Sequence, residues 1–134
     1  MSEDTAQLYQ ALVMARSRAP RFAGRPVAFG LHAQGENPMC GDHVEVFISG
    51  TQVRHESEGC AILVASADLM AQAAEGKSPA EISRLRVAFE QMLETGQVNP
   101  ALGDLNALAG VSEYRSRIRC ATLPWAALGQ ALGA

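Results

Sequence analysis

The stretch His43-Val44-Glu45-Val46-Phe47-Ile48-Ser49-Gly50-Thr51-Gln52-Val53-Arg54-His55-Glu56-Ser57 alternates apolar and polar side chains on either side of a Ser-Gly-Thr turn. That is the pattern of two half-buried strands joined by a tight hairpin. A further strand-like run occupies residues 26–34, so the expected sheet has three antiparallel strands. Between the first two lies Gly35-Glu36-Asn37-Pro38-Met39-Cys40-Gly41-Asp42, dense in turn formers and read as a structured loop. Upstream, Asp4 to Arg18 carries Leu8, Leu12 and Val13 at helical spacing behind an acidic start, and Pro20 and Gly24 end it. Downstream of Glu58-Gly59, the alanine-rich run from Cys60 to Met70 reads as a helix entering the core with Cys60 near its N-terminus. Ser78-Pro79-Ala80-Glu81 signals a second start, with an N-cap, a first-turn proline and a capping glutamate, for a helix reaching about Glu94. Residues 95–110, with Gly96, Asn99, Pro100, Gly103 and Gly110, read as an irregular connection holding a short helical turn around Asp104 to Ala109. From Val111 the tail is helical again, interrupted near Pro124. The fold class expected is α+β, a three-stranded antiparallel sheet packed against helices, as a single domain over 1–134.

At 134 residues, about half hydrophobic and a fifth charged, the chain has the composition of an ordinary globular protein whose core must be mostly aliphatic. A net charge of −3 gives no basic field for a phosphate backbone, so no nucleic-acid partner is expected. The arginine clusters Arg16, Arg18, Arg21, Arg25 and Arg115, Arg117, Arg119 read first as solvated helix faces and second as a docking surface for an acidic patch. The acidic start Met-Ser-Glu-Asp-Thr is unlike a secretory leader. No apolar run approaches the roughly 20 residues of a membrane span. Hence a cytoplasmic location with no membrane partner is expected, and there an odd number of cysteines, three, argues for thiols or a metal rather than disulfides.

Cys40-Gly41-Asp42 sets a thiol and a carboxylate two positions apart around a permissive glycine, so that both can converge on one ion. Cys60 at a helix N-terminus, and Cys120 behind Arg115, Arg117 and Arg119, are placed where thiolate is favoured. Three thiolates and one carboxylate make a four-coordinate set that zinc accepts. Spacing alone, without a Cys-x-x-Cys pair, nonetheless favours structural cysteines or one reactive thiol over a metal site. His43 should face away from Asp42 on its strand, and His32 and His55 have no matched partner in the sequence. Asp68 and Glu45 lack a second carboxylate at a useful spacing, and no serine has a nucleophile-elbow context.

The segments Asn37-Pro-Met-Cys-Gly-Asp42, Glu56-Ser-Glu-Gly-Cys-Ala-Ile62, Ala65-Ser-Ala67 and Arg117-Ile-Arg-Cys-Ala-Thr-Leu-Pro-Trp125 resemble the SufU branch of the IscU/NifU-like family of iron–sulfur cluster assembly proteins. The resemblance runs in order through nearly the whole chain, Leu8-Tyr9 and Pro20-Arg21-Phe22-Ala23-Gly24 included. It implies a metal site of Cys40, Asp42, Cys60 and Cys120 at one exposed end of the fold. The connection 95–110 and Arg119 before the last cysteine favour the SufU branch over the IscU scaffold. So does Tyr114-Arg-Ser-Arg-Ile118, which stands where that scaffold carries a Leu-Pro-Pro-Val-Lys chaperone motif. The chain departs from the family at Arg16 (a histidine there), Phe22 (an asparagine), and Leu63 and Asp68 (serines).

What the resemblance implies about activity is a zinc-dependent sulfur acceptor. A SufS-like cysteine desulfurase would present a persulfide, and Cys40 would take its terminal sulfur once a partner histidine replaces that cysteine on Zn2+. Asp42, Cys60 and Cys120 would retain the ion, Arg117 would steady the released thiolate, and downstream Suf assembly proteins would receive the sulfur. Two other readings use the same residues. One is a scaffold for an iron–sulfur cluster, since thiolates suit iron as well as zinc. The other is a structural zinc adaptor, since four protein ligands fill zinc's shell.

Overall fold

A computed structural model describes residues 3–133. Helix α1 (Glu3–Arg18) is followed by strands β1 (Leu31–Asn37), β2 (Asp42–Ser49) and β3 (Gln52–Glu58). Then come α2 (Ala61–Ala74), α3 (Pro79–Thr95), a 3-10 segment (Pro100–Glu113) and α4 (Arg115–Ala131). The strands pair in the order β1-β2-β3, antiparallel throughout, which is the expected α+β architecture.

The alternation in β2 sorts its residues by face. Asp42, Val44, Val46 and Ile48 are all buried under the helices, whereas His43 and Glu45 stand half-buried on the outer face. Asp42 therefore shares the core face of the strand, at its very end. Phe47 breaks the outer pattern by being fully buried. The segment before β1 covers it: Phe29 meets Phe47 edge-on at 5.0 Å between ring centres, and the Arg25 guanidinium lies 5.0 Å and 5.1 Å from the two centres. This corrects the strand expected at 26–34. Pro26 has no N–H for a ladder and Val27 is exposed, so residues 26–30 form a flap, and β1 begins at Leu31 and runs on to Asn37, into the stretch read as loop. Only Pro38-Met39-Cys40-Gly41 remains as the turn, between the paired Asn37 and Asp42. Gly41 adopts φ 71° there, in the left-handed region a glycine enters without strain.

Helix α2 supplies the centre of the core. Its alanines allow close approach to α1 and α4, and the Ser66 hydroxyl donates to the Ala121 carbonyl at 2.6 Å, tying α2 to α4. The capping box of α3 forms as expected: the Glu81 N–H donates to Ser78 Oγ (3.2 Å), and the Ser78 N–H to Glu81 Oε1 (3.0 Å). The connection after α3 is more regular than its composition suggested. Leu102, Leu105, Leu108 and Val111 are all buried, and their spacing of three is the repeat of a 3-10 helix, so they line one stripe of it. Gly103, at φ 53°, ψ −127°, kinks the segment. Paired amides brace its start, with the Asn99 N–H donating to Asn106 Oδ1 (2.9 Å) and Asn106 Nδ2 to the Asn99 carbonyl (2.8 Å). Nor does Pro124 interrupt α4, which is continuous from Arg115 to Ala131. A proline removes one rung of hydrogen bonding, and burial of Trp125 and Leu128, with Trp125 stacked 5.5 Å from Phe89, holds the helix across it.

Two of the departures from the family pattern meet in the core. Arg16 Nη1 donates to Asp68 Oδ2 at 2.9 Å with both side chains buried, and Arg16 Nη2 donates to Gln72. The Asp68 carboxylate also accepts from the backbone N–H of Arg21 (2.9 Å) and Phe22 (2.7 Å) and from His55 Nε2 (2.9 Å). His55, which had no evident partner in the sequence, is thus part of a buried network that continues to Ser57 Oγ at 2.8 Å. His32 finds Glu45 across the strands at 3.2 Å. Burial pushes the Asp68 carboxyl upward, but the bonds from His55, Arg21, Phe22 and Arg16 outweigh it and hold its pKa at about 2, below the ordinary 3.8.

Candidate metal centre

Three elements bring the expected ligands together. Cys40 stands exposed on the β1–β2 turn, Asp42 opens β2 on its core face with 2% exposure, and Cys120 is fully buried in the second turn of α4. One ligand atom from each of these three lies within 4.8 Å of the other two. Cys60 falls outside that compact trio but borders it. As the N-cap residue of α2, it donates its backbone N–H to Asp42 Oδ1 at 3.1 Å and holds its sulfur 4.0 Å from Oδ2. Gly59 makes this approach feasible: a Cβ there would sit 2.2 Å from Asp42 Oδ1 and 2.9 Å from Leu63. No sequence rule singled out Gly59, because its demand is set by a side chain 17 positions away.

The electrostatics differ from the sequence expectation at Cys120. Burial pushes its thiol well above the ordinary range, and the adjacent Asp42 and Cys60 push it further. Arg115 and Arg119 do not reverse this, since both turn to the surface while Cys120 faces the core. Arg117, one turn earlier, is exposed and reaches the Cys120 and Cys60 sulfurs. Its interaction with Cys120 first, and with Cys60 next, pushes its pKa upward and so favours its charged form. His43 points away as expected, with Nδ1 3.2 Å from Glu36 Oε1.

A second residue missed in the sequence stands beside Cys40. Asn37, read as a turn former and as part of the segment resembling the family but given no role at the site, is 3% exposed and points its Nδ2 at Cys40 Sγ, 3.4 Å away.

The donor set suits zinc. Three sulfurs and one carboxylate oxygen match its preferred ligands, and the same thiolates suit iron. The Asp42 carboxylate, buried with one backbone N–H and otherwise thiols around it, has the open shell that a cation completes. Among the described residues no helix is long and apolar enough to cross a membrane.

Known proteins resemble the chain over most of its length. The family model described as the NifU-like N terminal domain matches residues 8–121. The iron–sulfur cluster assembly scaffold protein IscU of Streptococcus pyogenes is 37% identical, over 93% of this chain and 82% of that protein. The zinc-dependent sulfurtransferase SufU of Bacillus subtilis is 35% identical, over 90% and 86%. Among solved structures, a putative iron–sulfur cluster assembly scaffold protein for the SUF system from Fervidobacterium islandicum superposes with a TM-score of 0.83 at 28% identity, covering 96% of this chain and 98% of that one. A NifU-like N-terminal protein of Brucella abortus, at 21% identity and a TM-score of 0.81 over 96% of this chain and 94% of that one, shares the fold.

Proposed function

The chain belongs to the NifU-like N-terminal domain family of iron–sulfur cluster assembly proteins, and on that premise we propose that it is a zinc-dependent sulfur acceptor of the SufU kind. Cys40, Asp42, Cys60 and Cys120 hold the ion, and Cys40 receives the sulfur. The observation that carries this reading is the gradient of access among the three thiols, Cys40 exposed, Cys60 intermediate and Cys120 buried. A sulfur acceptor must be reached by its donor, and a buried thiol cannot be. Zinc, when bound, favours the thiolate form of its cysteine ligands and blunts their nucleophilicity.

The chain's own residues account for the rest. The Cys40 turn, hinged at Gly41, presents its sulfur to a cysteine persulfide carried by a SufS-like desulfurase in the cytoplasm. The Cys40 thiolate attacks the terminal sulfur, a new S–S bond forms as the donor's S–S bond breaks, and the donor cysteine leaves as thiolate, with no net oxidation or reduction. Arg117, whose charged form the neighbouring Cys120 and Cys60 favour, offers a cation to a sulfur anion released at this edge. Passage of the sulfur to downstream Suf assembly proteins completes the role. A second reading, a scaffold that builds a cluster on the same residues, is supported by the name of the Streptococcus pyogenes relative and by the affinity of thiolates for iron.

Mass spectrometry after incubation with a desulfurase and cysteine separates the two. One added sulfur on Cys40, lost in Cys40→Ser while most zinc is kept, is the outcome expected, with Cys60→Ser and Cys120→Ser losing metal more readily. Sulfur on Cys120 with Cys40→Ser still active, or a brown oxygen-sensitive product on anaerobic reconstitution with iron, would move the protein to the scaffold role.

A further inference from the structure

Asn37, the last residue of β1, opens the chain reversal that carries Cys40, and its carbonyl accepts the Cys40 N–H at 3.1 Å. An asparagine at that position commonly turns its side-chain oxygen to the backbone N–H two residues on, which explains its frequency in turns. Here the side chain does something else. Its Oδ1 is buried and has no hydrogen-bond partner, while its Nδ2 faces the Cys40 sulfur at 3.4 Å. Leaving a buried acceptor unpaired is unfavourable, so turn formation and packing do not account for this residue. The one polar contact its side chain makes is with the sulfur. The backbone explains why it can reach: Asn37 is paired directly across β1–β2 with Asp42, so the amide and the carboxylate flank the turn at the same level.

We propose that Asn37 is a positioning residue for Cys40, its side-chain N–H holding the exposed sulfur over Asp42 and Cys120 so that the three donors are assembled before any cation arrives. The inference rests on the metal-site reading given above and adds a residue outside the ligand set. Cys40 is the donor most in need of such help, because it is exposed and lies in a turn whose next residue is a glycine at positive φ. Cys60 and Cys120 are fixed by the helices that carry them.

The test compares the full chain with Asn37→Leu, which keeps the side chain's approximate size and removes both polar atoms. Zinc affinity measured by chelator competition should weaken roughly 10- to 100-fold, the usual cost of losing an outer-shell partner of a ligand. The thiolate-to-metal charge-transfer band of the cobalt-substituted protein should lose intensity. The melting temperature of the metal-free protein should hold or rise, because an unpaired buried acceptor has gone. Zinc affinity within two-fold of the parent would overturn the proposal. A metal-independent measurement distinguishes its failure from failure of the metal-site reading. In the metal-free parent, the Asn37 side-chain amide resonances should shift on Cys40→Ala, and unmoved resonances overturn the positioning role. A parent that takes up neither zinc nor cobalt, with those resonances nevertheless shifted, removes the metal-site reading and leaves the sulfur contact standing.

Discussion

Asp42 and Asp68 are both buried carboxylates, 2% and 0% exposed, and their surroundings differ completely. Asp68 is surrounded by four donors, from Arg16, His55 and the N–H groups of Arg21 and Phe22. Its shell is closed, and its work is to lock α1, α2, β3 and the 20–24 loop to one another. Asp42 receives one backbone N–H, from Cys60, and otherwise faces thiols. A buried anion with a full set of donors is a strut, whereas one with an open shell and soft donors beside it is a place for a cation. Helix α2 serves both, offering the Cys60 N–H to Asp42 at its first residue boundary and Asp68 two turns on. The candidate cluster is therefore mounted on an element that the ionic network fixes two turns further along.

The largest effect that can break this contrast is Asp68→Ala, which strands the buried Arg16 guanidinium and should cost roughly 3–5 kcal/mol in denaturant unfolding. The loss should be the same with and without zinc. Exchanging both partners for the family's residues, Arg16→His with Asp68→Ser, should cost less than the sum of the single changes, because the pair is coupled. A loss that instead depends on zinc would merge the two regions into one.

Next in size is metal removal. With free zinc at about 100 times its dissociation constant, the ion should add about 2.7 kcal/mol, read as a fall in melting temperature on adding a chelator. Asp42→Ala should abolish the chelator effect, and Asp68→Ala should keep it. Equal chelator sensitivity in Asp42→Ala and the parent would remove Asp42 from the ligand set.

The smallest effect is the response to acid. With its folded pKa held at about 2 against an ordinary 3.8, Asp68 contributes stability that is fully present above pH 4. That stability is lost as the pH falls through the folded value. The difference corresponds to roughly 2 kcal/mol. The stability gap between the parent and Asp68→Asn should thus be constant from pH 7 to about pH 5 and narrow between about pH 4 and pH 2. A gap that is flat across that range would mean the carboxylate is not held ionised by its partners.

The hairpin and the capping box could be read from sequence because each is local: Val44, Val46 and Ile48 alternate about one glycine turn, and Ser78 and Glu81 are three residues apart. Leu102, Leu105, Leu108 and Val111 were equally local, but their period of three matches neither a strand nor an α-helix, so the segment looked irregular. The Arg16–Asp68 pair spans 52 positions and has no periodic signature. Sequence showed only that both residues were unusual for the family, not that each answers the other. At the candidate site, the thiols and the carboxylate that come together were legible as a set, and their supports were not. Gly59 and Asn37 matter through contacts made only once β1, β2 and α2 have met.

The separation of the cysteines along the chain has a kinetic consequence. Cys40, Cys60 and Cys120 come from a hairpin, the start of one helix and the interior of the last. An ion bridging Cys40 and Cys120 closes a loop of eighty positions, and in the unfolded chain that closure carries the entropic cost of a long loop with none of the packing that offsets it. Unlike a short motif folded around its metal, this chain must complete its topology, with α4 docked on the sheet, before the four donors are neighbours. On the proposed metal-site reading, metal uptake would follow folding, leaving the folding rate nearly untouched and acting on the rate of unfolding, so that a newly made chain would spend its whole folding time with its thiols unprotected.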